Sequence, residues 1–315
     1  MSRSFQDTLR ESPCVLGEGA VIERLRRDPA IELDPHIVNS HLVYSEAGRA
    51  ALAGIYGGYL DIGRRFDLPL LLSTPTWRAS RDRITLAGFE EKDVNADNFQ
   101  FLQGLKKRCG AYGGKVHICG LMSCLGDAYR PGDALPVDEA RRFHAWQVDR
   151  LAKTKVDFVL ASTLPALSEA TGIAQALAAA QVPYLISFVA RPEGTLLDGT
   201  PLAEAIRAID AAARPVPIGY LINCTHASVF RRAITDARNS SGLARSRVVG
   251  LLANTSALSP EELDNSATLV EEDPEIFGRS VGGLREELGM KLLGGCCGTD
   301  ERHILALARH LASPP

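Results

Sequence analysis

Eight short runs of unbroken hydrophobicity, separated by helix-length amphipathic stretches, limit the fold more than any other feature of this sequence. They are "CVL" at 14–16, "LPLLLS" at 68–73, "KVHICG" at 115–120 and "VDFVLA" at 156–161. "VPYLISF" at 182–188, "VPIGYLIN" at 216–223, "RVVGLLA" at 247–253 and "MKLLGG" at 290–295 complete the set. A strand with one wet face alternates apolar and polar residues. A run that is apolar throughout marks a strand covered on both faces, as helices cover a parallel sheet. Helical patterns fill the gaps, among them Val137–Thr154, Leu167–Ala180, Leu202–Ala212 and Glu301–Leu311. Eight strands, seven intervening helical segments and a closing helix give the count of a (β/α)8 TIM barrel, an α/β fold. An open doubly wound sheet has the same alternation, but no Gly-x-Gly-x-x-Gly turn follows a strand. Gly17-Glu18-Gly19 imitates only half of one.

The 315 residues fall within the length of one such barrel, and no repeat, linker or low-complexity segment divides them, so 1–315 is read as a single domain. A net charge of −3 offers no field for nucleic acid or an anionic membrane. The opening "MSRSFQDTLRESP" has no apolar core of a signal peptide, and no apolar run approaches the ~18 residues that span a bilayer. Seven cysteines, odd in number and thinly spread, suit the reduced thiols of a cytoplasm. Two long connections stand out: a helical pattern from about Ser40 to Arg65, and the polar loop "NTSALSPEELDNSATLVEEDP", a candidate pocket wall.

Barrel chemistry sits on the loops at the carboxyl ends of the strands. Cys296 and Cys297, in "KLLGGCCGTDERHI", end the eighth run, and Cys224, in "YLINCTH", ends the sixth. Three cysteines converging at one mouth fit a zinc ion with Zn–S bonds of about 2.3 Å and one position left open for catalysis. Gly294 and Gly295 would let the backbone turn closely, and a helix entered near Thr299 would favour thiolate through its N-terminal field. Any one of these cysteines alone reads equally well as a small buried apolar residue. The vicinal pair with a third strand-end partner is what points to metal. Cys14 and Cys119 lie within strand patterns, Cys109 ends a helix, and Cys124 follows the third strand. His226 is a possible ligand or pocket-lining group, and His117 and His303 read as structural.

"GGCCGTDERHI", together with "INCTH" some seventy residues earlier, resembles the homocysteine S-methyltransferase family. The likeness runs through nearly the whole chain. "LGEGAVIERLRRD" at 16–28 is similar to that family's first strand and turn, with Glu18-Gly19 where an Asp-Gly pair is usual. "HLVYSEAG" at 41–48, "TPTWRAS" at 74–80 and "ISFVARPEGTLLDGTPLAEAI" at 186–206 resemble further family segments. The resemblance implies a zinc-bearing barrel that methylates homocysteine to methionine, with Cys224, Cys296 and Cys297 as ligands. It implies a substrate pocket touched by Glu18, Gly19, Thr76, Ser162 and Asn223. The chain departs from the pattern again at Ser162, in "ASTLPALSEA", which stands where the family carries a Glu that binds the acceptor's amino group. Glu18 is the best compensating acid; Glu23 and Glu169 read as a solvated or capping helix charge.

The partners expected are a small thiol acceptor and an onium methyl donor, a sulfonium favoured. Trp77 and Tyr44 are the aromatic residues that could hold such a cation. The sequence leaves open the donor, the oligomeric state, and two other classes: a non-catalytic zinc-binding barrel and a thiol-redox enzyme using Cys296 and Cys297.

Overall fold

Each of the eight apolar runs forms a strand in the computed structural model, which describes residues 3–258, 262 and 271–313. The strands are β1 (Val15–Gly17), β2 (Leu70–Ser73), β3 (Val116–Met122) and β4 (Phe158–Leu164), then β5 (Tyr184–Phe188), β6 (Gly219–His226), β7 (Val248–Asn254) and β8 (Leu292–Gly295). Every neighbouring pair is parallel, and β8 returns to β1 through Val15↔Leu292 and Leu16↔Leu293, closing the barrel. The open-sheet alternative is excluded by that closure.

Two layers of core explain why the runs are apolar on both faces. Val15, Leu71, Cys119, Phe158, Leu160, Leu185, Leu221 and Leu292 cluster with the partly buried Val249 and Leu252, so all eight strands contribute to this inner set. The other face of each strand packs beneath the helices in a second, larger cluster that includes Leu16, Leu70, Ile118, Val159, Ile186, Ile222, Leu251 and Leu293. The amino end of the barrel is closed by the helix Phe5–Glu11, capped by Ser4. Its Phe5 ring stacks on Phe158 at 4.1 Å, and Thr8 Oγ1 pairs with His117 Nε2 at 2.9 Å.

The long first connection differs from one continuous helix. A 3-10 turn, Ser40–Tyr44, precedes the helix Glu46–Arg65, which starts where the Ser45 hydroxyl accepts from Gly48 N. Tyr56 and Tyr59 on that helix reach inward: their hydroxyls donate to Ser73 O at 2.9 Å and to Ala20 O at 2.8 Å. The turn after β1 is thereby tied to the outer ring. Residues 259–261 and 263–270 of the polar loop after β7 lie outside the described residues, so its part as a pocket wall is left aside.

Candidate metal centre

At the carboxyl mouth, β4 and β6 run on past the ends of their apolar patterns, and both do so through a bulge. Pairing of β4 with β5 shifts between Ala161 and Leu164, and pairing of β6 with β7 shifts between Asn223 and Thr225. The extra residues take the left-handed conformation, Thr163 at φ 60° and Cys224 at φ 49°. That region costs an L side chain free energy, most of all a β-branched one, and persists only where the surroundings enforce it. Asn223 enforces it here. Its Oδ1 accepts from Thr163 N at 3.0 Å and from Ser187 Oγ at 2.6 Å, while its Nδ2 donates to Thr163 Oγ1 at 2.7 Å and to Cys224 Sγ at 3.4 Å.

Across the mouth, β8 delivers the cysteine pair. Cys296 N donates to Ala253 O at 2.7 Å, and Cys296 O accepts from Thr299 N and Thr299 Oγ1. The glycine that turns the chain is Gly298, not the two before the pair. At φ 83° it sits so close to Thr255 that a Cβ would fall 1.8 Å from the hydroxyl, and its N–H donates to Glu23 Oε2. Gly294, inside β8, serves close packing instead: a Cβ there would lie 2.7 Å from Gly17 Cα across the β1–β8 seam.

The three sulfurs meet. Cys224 Sγ lies 2.8 Å from Cys296 Sγ and 4.0 Å from Cys297 Sγ, and all three sit within 4.8 Å of one another. Those two separations bracket the edge of about 3.8 Å that a tetrahedron with 2.3 Å Zn–S bonds requires. As a set of thiols, the cluster favours ionisation at one sulfur: hydrogen bonds from Cys296 and Cys297 draw the Cys224 thiol well below its ordinary range. Donation to Cys224 in turn pushes both partners upward. Three thiolates at such separations repel, and a bound cation is what lets all three ionise. The expected help from a helix N-terminus is displaced. The last helix, Glu301–Ala312, begins beyond Thr299 with Asp300 as its cap, and the favoured thiolate is Cys224 on β6.

The sequence profile of the homocysteine S-methyltransferase family matches residues 15–311. The chain belongs to the homocysteine S-methyltransferase family. Among relatives, homocysteine S-methyltransferase YbgG of Bacillus subtilis is 28% identical over 186 residues, 58% of this chain and 56% of that protein. Selenocysteine Se-methyltransferase of Brassica oleracea is 26% identical over 293 residues, 89% of this chain and 80% of that one. The crystal structure of metallated homocysteine methyltransferase MmuM from Escherichia coli superposes with a TM-score of 0.75 at 19% identity, covering 96% of this chain and 97% of that one. That likeness extends the shared barrel across almost the whole length of both chains.

Around the centre, the family-implied pocket residues have distinct situations. Glu18 follows β1 and is half-buried. Its backbone O accepts from Gly295 N at 2.9 Å, one residue before Cys296, and its Oε2 accepts from Ser73 N at 3.1 Å. Burial pushes its carboxyl up to about 8. Gly19 packs against Tyr59, Thr299 and Ile304 too closely for a side chain. Ser162 lies in the β4 bulge with its hydroxyl 3.2 Å from that of Thr163. Asn223 is spent on Thr163, Ser187 and Cys224, and Thr76 on Leu121 O at 2.7 Å. Neither aromatic proposed for the donor is free: the Arg78 guanidinium covers Trp77 at 4.3 Å, and Tyr44 stacks on Phe89 while donating to Asp97 at 2.7 Å.

Among the described residues, only Cys224, Cys296 and Cys297 form a metal-sized group. His226 instead caps the helix Ala227–Thr235 through Nδ1 and approaches Glu272 at 3.4 Å. His303 closes a capping box with Asp300, and Glu169 is a fully buried partner of His144 rather than a helix-surface charge. Glu23 is more than a solvated charge, since burial pushes its carboxyl up beside Gly298 and Cys297. One residue at the centre carries no sequence signal. Tyr129, in the loop after β3, packs with Val189, Leu197 and the three cysteines.

Proposed function

We propose that this protein transfers a methyl group from an onium donor to a small thiol, homocysteine, at a zinc site formed by Cys224, Cys296 and Cys297. The single observation that carries the reading is the convergence of three sulfurs from β6 and β8 at the carboxyl mouth. Soft sulfur donors suit zinc, and three of them leave one position for an incoming thiol. Zinc bound there supplies acidity, turning a thiol that is mostly protonated at neutral pH into a thiolate.

The chain's own residues do the rest. The bulges held by Asn223 fix the Cys224 sulfur before any ligand arrives. Glu18, one hydrogen bond from the cysteine pair's strand, receives the acceptor's ammonium in place of the carboxylate that Ser162 lacks. In the transfer, the acceptor sulfur forms a bond to the methyl carbon as the donor's C–onium bond breaks. The electron pair stays on the donor, which leaves neutral, and the thiol proton goes to solvent. No protein nucleophile is required. A sulfonium is the favoured donor class. We read 1–315 as one domain working in the cytoplasm, where thiols stay reduced. No described helix is long and apolar enough to cross a membrane.

Metal analysis and methyl transfer from a panel of sulfonium and betaine donors test the reading. About one zinc per chain and methionine formed from homocysteine are expected. Zinc-loaded protein that is inert across the panel would instead favour a non-catalytic barrel.

A further inference from the structure

The cysteine pair is gripped through its backbone from two sides. On the β7 side, Cys296 N donates to Ala253 O at 2.7 Å, and Cys297 O accepts from Thr255 N at 3.2 Å. Within the turn, Cys296 O accepts from the Thr299 hydroxyl at 2.7 Å. The remaining grip crosses the β1–β8 seam. Gly298 N, the amide that follows Cys297, donates to Glu23 Oε2. Gly298 is buried, so without that carboxylate its N–H would lose its partner away from water, and a buried orphan donor is costly.

Glu23 stands on the short helix Ile22–Arg26, which follows β1 and the Glu18-Gly19 turn. Two further ties join this segment to the chain beyond the cysteines. Arg24 Nη2 pairs with Glu301 Oε1 at 2.7 Å, and Ala20 N donates to Thr299 Oγ1 at 3.0 Å. Of the three ties, only the one from Glu23 reaches a residue adjoining a cysteine.

We infer that Glu23 is a positioning residue of the metal centre: by holding Gly298 N it fixes the Cys297 peptide, and with it the direction of the Cys297 sulfur. The inference rests on the metal site proposed above. Partners behind a metal's ligands orient them and so set the affinity of the site. What the site needs from position 23 is an acceptor oxygen rather than a charge. Because Glu18 and Glu23 share one short segment, the same bond also holds the proposed ammonium site at a fixed place relative to the metal.

Cobalt(II) is the probe, because its visible ligand-field bands report the geometry of the sulfurs without any turnover. Glu23→Ala removes the acceptor, whereas Glu23→Gln keeps an oxygen that can take the same bond. Arg24→Ala breaks the neighbouring tie to Glu301 and serves as the control for a seam that is merely loosened. The expected result is about 10–100-fold weaker cobalt binding by chelator competition in Glu23→Ala, with altered bands. Glu23→Gln should return both to wild-type values, and Arg24→Ala should leave both unchanged. Wild-type affinity and spectrum in Glu23→Ala overturn this inference alone. So does equal weakening in Glu23→Gln, which would make the charge the cause, or in Arg24→Ala, which would make it the seam. Cobalt refused by the wild type overturns the metal site itself, and this inference with it.

Discussion

Thr163 and Cys224 hold conformations that neither residue type prefers, and one side chain, Asn223, spans both. The strain is local to the mouth and sets one sulfur before metal arrives, which is preorganisation in its plainest form. Truncating Asn223 to Ala leaves Thr163 N and the Ser187 hydroxyl without their partner. Each buried orphan costs about 1–3 kcal/mol, so Asn223→Ala should lower the unfolding temperature and weaken metal binding together. Denaturant melts and chelator competition on the same sample check this; unchanged metal affinity would separate Asn223 from the site. The proposed ligands themselves give a sharper outcome. Cys224→Ala, Cys296→Ala or Cys297→Ala should lose most bound zinc while remaining folded, whereas Cys14→Ala and Cys109→Ala keep it. Full occupancy in Cys296→Ala would remove that residue from the ligand set.

At the scale of elements, the eight strands were legible because burial on both faces writes an unbroken apolar run, and the cysteines were legible because their chemistry is conspicuous at strand ends. The bulges were not. Ser162-Thr163 and Cys224-Thr225-His226 look like loop, since their strand character comes from pairing with β5 and β7 rather than from hydrophobicity. Tyr129 was hidden for a related reason: its position depends on backbone contacts to Glu169, Arg78 and Arg83, which leave no periodic trace. The first helix escaped in the same way. "SFQDTLRE" carries a Ser cap and only two large apolar residues, Phe5 and Leu9, and its role as the floor of the barrel is visible only once Phe5 meets Phe158. Phe5→Ala should cost about 3 kcal/mol as a buried aromatic truncation. Metal content should stay the same, because the plug sits at the amino end and the sulfurs at the other. A fall in zinc content alongside the melting temperature would show that the two ends are coupled.

Over the whole molecule, the acceptor role proposed for Glu18 would tie recognition to the pH dependence of stability. Its carboxyl titrates near 4.5 when unfolded and near about 8 when folded, because burial disfavours the charged form more than the Ser73 N–H supports it. Between those values the native state holds the extra proton. The Glu18 contribution is therefore full below about pH 4.5, declines as pH rises and levels off above about 8. Metal-free wild type should lose melting temperature over that window more steeply than Glu18→Gln, and parallel slopes would place the carboxyl in ordinary solvent. The same proton marks the acceptor. At pH 7 the carboxyl is mostly neutral, and an ammonium arriving beside it favours the carboxylate, so the proton must leave. Homocysteine binding to the zinc enzyme should then release more protons than binding of a des-amino thiol of equal length, which gives up only its thiol proton. Calorimetry in buffers of differing ionisation heat reads the difference, and Glu18→Gln should abolish it. Equal release by both thiols in the wild type would mean that Glu18 does not meet the amino group, and a pocket without an acid at Ser162 would then select a thiol that carries no ammonium.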